Sequence, residues 1–279
     1  MSSSTDHKNF PYNTVRKYGN PPYKVAVIHG GPGAPGYMAP VARELSKMAG
    51  VIEPIQTRDS LMEQIEELEK QLADYSNPPV TIIGSSWGAV LALFLGARKN
   101  ITLEKLILIG SAVFDAESSS RIEKIRMARL DVENRQRFEE IQYRLAQAKN
   151  EDLGKIAKEW GDIFFNTDIY DPLTTDLEVI EVQYEIHKKV WADFVALRDR
   201  PGFLKEEFSK IDTPAVVIHG DYDPHPIEGI RPFLEDCLTD VRFYILPNCG
   251  HYPWIERFAE RQFYNILRKE SFNLPPPTY

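Results

Sequence analysis

Cysteine is scarce in this chain of 279 residues: only Cys237 and Cys249 are present. Neither a disulfide framework nor a paired-cysteine metal site therefore organises it. Positive charge is also in deficit, with 33 Lys and Arg against 41 Asp and Glu, a formal net charge of -8. Binding phosphate backbones takes clustered Lys and Arg, so nucleic acid is not an expected partner. No apolar run approaches the length of a membrane span. The polar stretch Met1 to Tyr23 has no apolar centre resembling a signal peptide. No block of like charge forms a tail, no repeat is present, and only Ser2-Ser3-Ser4 and Pro275-Pro276-Pro277 are low in complexity. These absences predict a soluble cytoplasmic protein that engages neither nucleic acid nor membrane. They leave its oligomeric state open.

A hydrophobic fraction of 43% is ample for a packed core. It falls in short, nearly continuous runs: Val25–Ile28, Val80–Ile83, Leu106–Ile109, Ala215–Ile218 and Phe243–Leu246, with Val51-Ile52 beginning another. Strands apolar on both faces suit a parallel sheet covered by helices. Between the runs the period becomes helical. Ser60 and Glu63 form a capping box, after which Leu61, Ile65, Leu68 and Leu72 share one face. Trp87 to Leu95 is apolar nearly all round, and Trp254 to Leu267 reads as a final helix. The alternation predicts an α/β fold.

From about Phe114 to Glu207 the strand-like runs stop and only helical patterns remain. An all-helical insertion there reads as a cap over the C-terminal ends of the strands, where ligands bind in such sheets. The expected organisation is residues 1–113 and 208–279 as the core and 114–207 as the cap.

The motif Gly84-Ser85-Ser86-Trp87-Gly88 lies directly after one strand and directly before a helix. A turn that tight needs small flanking residues and thrusts the central hydroxyl, Ser86, toward the cleft at the positive end of the helix. Ser86 is thus the candidate nucleophile, and Ser85 is not. A second motif, His29-Gly30-Gly31-Pro32-Gly33, ends an earlier strand. Acyl transfer needs backbone N–H groups aimed at a developing oxyanion, and Gly31 and Trp87 are the assigned donors. His29 reads as a buried, hydrogen-bonded strand-end residue.

His219-Gly220-Asp221-Tyr222-Asp223-Pro224 and Gly250-His251 follow the last two strands. The order Ser, Asp, His suits a nucleophile, an orienting acid and a base. Asp221 and Asp223 compete for the acid role; Asp223 is favoured because the chain has left the strand there, and Asp221 supports the loop. His225 is a rival base, but it stands ahead of the Pro226-containing helix start and is expected to be solvated. Cys249 reads as a packing residue. Trp160, Phe164, Phe165 and Trp191 read as cap core before pocket lining.

With these motifs, the sequence resembles the proline-iminopeptidase branch of the α/β-hydrolase superfamily over about residues 25 to 256. The resemblance implies the α/β-hydrolase fold, with a mostly parallel sheet flanked by helices and an inserted helical cap. It also implies Ser86, Asp223 and His251 as triad, with Gly31 and Trp87 as oxyanion donors. One departure is clear: where the family carries an Asp-x-Arg-Gly-x-Gly-x-Ser loop, Glu53 to Ser60 runs straight into a helix. In the cap, Glu159, Asp162 and Glu181 stand as counterparts of acids that bind a free amine, with no motif to fix them.

The expected activity is acyl transfer to water through an acyl-enzyme on a small ester, amide or short peptide, without metal or organic cofactor. Carboxylesterase and aminopeptidase are rival readings within this class. A hydrolase-fold protein that only binds a ligand or partner is the rival outside it.

Overall fold

The computed structural model describes residues 14–147 and 150–272, so the low-complexity runs at residues 2–4 and 275–277 lie outside it. The apolar runs are strands: β2 (Tyr23–Ile28), β3 (Gly50–Pro54), β4 (Val80–Ser85), β5 (Leu103–Ile109), β6 (Ala215–Gly220) and β7 (Val241–Leu246). They pair in parallel, and β1 (Val15–Tyr18) adds an antiparallel edge, giving the order β1-β3-β2-β4-β5-β6-β7. β1 escapes sequence reading because Val-Arg-Lys-Tyr is short and largely polar. Inner strands β4 and β6 are buried at every position, as a sheet covered on both faces requires.

One face of the sheet packs on α2 (Leu61–Tyr75), α3 (Trp87–Arg98) and α9 (Arg231–Cys237). The other packs on α1 (Ala39–Leu45) and α10 (Glu260–Phe272). Ser60 caps α2, its Oγ accepting the N–H of Glu63 at 3.4 Å. The last helix starts at Glu260, not at Trp254, because Pro253–Ile255 forms a 3-10 turn and Glu256 is extended. There the Glu256 carboxylate turns inward and accepts the N–H groups of Gly250, Tyr170 and Asp171, each at 2.8 Å.

Between β5 and β6 lie α4 (Ala116–Arg129), α5 (Val132–Gln147), α6 (Asn150–Asp168), α7 (Tyr184–Arg198) and α8 (Phe203–Phe208). The first three enclose a small core of their own around Phe138, Ile141, Ile163 and Phe164. The last two join the main core, with Phe194 against Trp87 and Phe208 against Phe94 at ring distances of 5.7 and 5.0 Å. A strap without helix runs from Ile169 to Gln183. It is tied to the loop after β2 by Ile180 N–H to Pro35 O at 2.9 Å and Gln183 N–H to Gly33 O at 2.8 Å.

Candidate active site

Parallel pairing brings the C-terminal ends of β2, β4, β5 and β6 side by side, and the candidate residues occupy the loops just beyond them. Ser86 sits between β4 and α3 with φ 54° and ψ -113°, a conformation that L-residues avoid. From Val80 to Ala97 it is the only position that is not buried. The strained turn therefore does what the motif requires: it lifts one hydroxyl out of an otherwise enclosed strand–helix unit. Gly84 makes the turn possible, since a Cβ there would lie 2.1 Å from the carbonyl oxygen of Gly88.

Ser85, in contrast, is fully buried, and its Oγ accepts the Tyr37 hydroxyl at 3.2 Å. The Trp87 indole points into the core and donates to Gln64 at 2.9 Å, leaving the Trp87 backbone N–H at the first turn of α3. The loop after β2 comes close from the other side. A Cβ on Gly30 would lie 2.9 Å from Ser86 Cβ and 2.0 Å from the Tyr37 hydroxyl. Gly31 has φ +116°, which favours glycine, and is partly exposed.

Asp223 and His251 meet at 2.7 Å, Oδ2 to Nδ1, and both are buried. The carboxylate is an acceptor, so Nδ1 carries the proton and Nε2 keeps its lone pair. The backbone N–H of His251 is held by Asp168 O at 2.7 Å. The carboxyl of Asp168 is in turn clamped by Arg126, with Oδ1 2.9 Å from Nε. Gly110, just after β5, links this pair to Ser86. Ser86 N–H bonds Ile109 O at 2.8 Å, and a Cβ on Gly110 would lie 2.9 Å from His251 Nδ1 and 3.1 Å from Asp223 Oδ2.

Burial disfavours charge on both partners, yet their mutual attraction prevails. It holds the Asp223 carboxyl well below the usual carboxylate range and raises His251 above the ordinary imidazole value. His29 behaves oppositely: burial lowers it to about 4. Its Nδ1–H donates to Gly30 O at 2.8 Å while Nε2 accepts from Gln56 N at 3.4 Å, a pattern only the neutral ring satisfies.

One expectation needs correction. His225 is buried, not solvated, and its Nδ1 lies 2.8 Å from Asp223 Oδ1. Leaving β6, the chain turns back on itself, and the backbone N–H of His225 also donates to Asp223 Oδ1 at 2.9 Å. Asp223, His225 and His251 offer ligand-type atoms within 4.8 Å of one another, the single such group found among the described residues. Those atoms are bonded to each other through protons, which makes the group a hydrogen-bonded cluster and not a ligand set.

The remaining residues fall as follows. Asp221 accepts the N–H of Cys249 at 3.3 Å and so supports the loop. Cys249 is fully buried, and burial pushes its thiol up, away from reactivity. Glu159 and Asp162 pair with Arg144 and Lys158, at 2.8 and 2.9 Å, and Glu181 is exposed. Of the cap aromatics, Trp160 and Phe164 pack together at 4.8 Å, Trp191 joins the core beside Trp87, and Phe165 meets Tyr252 at 5.3 Å. Sequence reading missed Gly110, Tyr37 and Glu256, and placed His225 in solvent. Only Gly110, a glycine closing an apolar strand, left a usable signal.

A strained serine turn, a glycine loop facing it and an acid–imidazole pair, all beyond the ends of a parallel sheet, define the hydrolase class of α/β proteins. The chain belongs to this class by sequence as well: residues 27–261 match the Alpha/beta hydrolase family. It is similar to a pimeloyl-[acyl-carrier protein] methyl ester esterase of Nitrosospira multiformis, with 24% identity over 73% of each chain. Among solved structures it is similar to VinJ, with TM-score 0.66, 17% identity and coverage of 94% of this chain and 95% of that one. It is also similar to the proline iminopeptidase of Mycobacterium smegmatis, with TM-score 0.61, 18% identity and coverage of 93% and 94%. Among the described residues no helix is long and apolar enough to cross a membrane.

Proposed function

We propose that the chain is a serine hydrolase in which Ser86 attacks a carbonyl, His251 takes its proton and Asp223 orients and stabilises the imidazolium. The backbone N–H groups of Gly31 and Trp87 receive the oxyanion. The acyl-Ser86 intermediate is then hydrolysed by a water that His251 activates. The observation that carries this reading is the buried His251–Asp223 hydrogen bond of 2.7 Å, packed against the glycine that follows Ser86's own backbone partner. No step draws on a metal or organic cofactor.

A small ester is the preferred substrate over an amide or short peptide. Recognition of a free amine calls for an uncompensated carboxylate in the cap, whereas Glu159 and Asp162 are paired outward, Glu181 is exposed and engaged, and Asp168 is clamped by Arg126. The esterase among the relatives points the same way. Residues 114–207 act in this reading as the cap that encloses the acyl group and excludes bulk water. The protein works in the cytoplasm, away from membranes and nucleic acid.

Labelling with a fluorophosphonate probe tests the reading. Wild type is expected to label, and Ser86→Ala and His251→Ala to lose labelling, while Ser85→Ala is weakened only. A folded wild-type protein that resists even small probes would turn the assignment toward a binding protein.

A further inference from the structure

We propose that His225 is a positioning residue, a second imidazole that binds the Asp223 oxygen His251 does not use and holds the acid–base pair in register. The inference rests on the reading of Asp223 and His251 given above. Both oxygens of the Asp223 carboxylate are engaged. Oδ2 receives His251 Nδ1–H at 2.7 Å; Oδ1 receives both Nδ1–H and backbone N–H of His225, at 2.8 and 2.9 Å. The terminal torsion of an aspartate is soft, so a carboxylate gripped by one imidazole alone can swing. A second grip on the other oxygen fixes the carboxylate plane.

His225 also lies flat against His251, with ring centroids 4.6 Å apart and planes 25° from parallel, which limits sideways motion of the base. Its own position is anchored in the sheet, because His219 at the end of β6 sets Nε2 3.0 Å from the carbonyl oxygen of His225. The support therefore runs from β6 through His219 and His225 to Asp223, and only then to His251. Charged and titratable neighbours are few. Arg126 of α4, Asp168 of α6 and the Tyr252 ring at 5.0 Å face His251, while His219, His225 and His251 surround Asp223, with Arg126 and Arg129 also acting on its charge. Burial keeps His225 itself below the ordinary imidazole value, so it serves as a neutral donor.

Two substitutions separate the contributions. His225→Phe keeps a ring on His251 but removes the side-chain donor; His225→Asn keeps a donor near the Nδ1 position but removes the stack. Hydrolysis of p-nitrophenyl butyrate is measured across pH for both, alone and in an Asp223→Asn background. His225→Phe is expected to lower kcat about tenfold to a hundredfold, the range of a hydrogen bond to a charged group, with KM little changed. Its acid limb moves to higher pH, because a carboxylate with fewer donors attracts the proton on His251 more strongly. His225→Asn restores most of the rate. In the Asp223→Asn background the Phe substitution adds little, since its effect passes through Asp223.

Proton NMR of the imidazole N–H region gives a readout that needs no turnover. Wild type should show two far-downfield resonances, of which His225→Phe removes one and Asp223→Asn shifts both. An active wild type whose His225→Phe variant keeps the wild-type rate and acid limb overturns the role, as does an equal, additive loss in the Asp223→Asn background. A wild type that neither labels nor hydrolyses the ester overturns the functional reading, and this role with it.

Discussion

Gly110 offers the sharpest test of where the Asp223–His251 pair sits. Replacing it by alanine has two separable consequences. The residue holds φ +50°, a left-handed conformation that costs an alanine about 1–2 kcal/mol. The added methyl would also stand 2.9 Å from His251 Nδ1 and 3.1 Å from Asp223 Oδ2, inside contact distance of the hydrogen bond that joins them. Neither group has room to yield. The imidazole is backed by His225 at 4.6 Å and flanked by Tyr252 at 5.0 Å, and Asp223 is held by three N–H donors. Overpacking of this kind costs about 1–3 kcal/mol more, so Gly110→Ala should lose about 2–5 kcal/mol in urea unfolding.

The activity loss should exceed what instability alone explains. A displacement approaching 1 Å between reacting groups costs about a hundredfold, and that is the expected fall in the rate of fluorophosphonate labelling. Gly202→Ala is the control. Its φ of +75° imposes the same backbone strain, but a Cβ there meets nothing within 4 Å. It should lose stability to a similar conformational extent and label at the wild-type rate. If Gly110→Ala labels like wild type and is no less stable than Gly202→Ala, then His251 and Asp223 do not pack against residue 110, and the site described above is wrong.

Two further predictions concern pH. The pKa of His251 is raised, and in the proposed mechanism only the neutral ring accepts the proton of Ser86, so kcat/KM should rise with pH with its midpoint above about 6.5. A midpoint at or below that value would contradict the ion pair with Asp223. His29 has the opposite sign: it titrates at about 4 when folded, so acid protonates the unfolded chain first. Its stabilising contribution is complete above pH 6.5 and falls by about 2 kcal/mol by pH 5, a loss that His29→Asn should remove from the difference between unfolding at the two pH values. An unchanged pH dependence in that variant would refute the buried neutral assignment.

What the sequence determined by itself is local in origin. Runs such as Ala215–Ile218 are apolar at every position, which only a doubly covered parallel strand satisfies, and the observed β6 is buried throughout. Gly84 to Gly88 announces its turn because only small residues tolerate that approach, and Ser86 adopts the strained conformation the pattern demands. The point at which the chain leaves the strand favoured Asp223 over Asp221, but only the folded loop sets its carboxylate on His251.

The tertiary structure decided everything that depends on distant segments meeting. His225 becomes a buried partner of Asp223 because the loop after β6 folds back on its own carboxylate, whereas the adjacent prolines suggest only an exposed turn. Glu256 leaves its helix to bind Gly250, Tyr170 and Asp171, contacts that no periodicity encodes. Gly110 matters through its neighbours across the sheet. Hydrophobic period and turn chemistry are properties of adjacent residues and can be read along the chain. The partner of a buried polar group is set by which loops the sheet brings together, and it emerges only once the chain is folded.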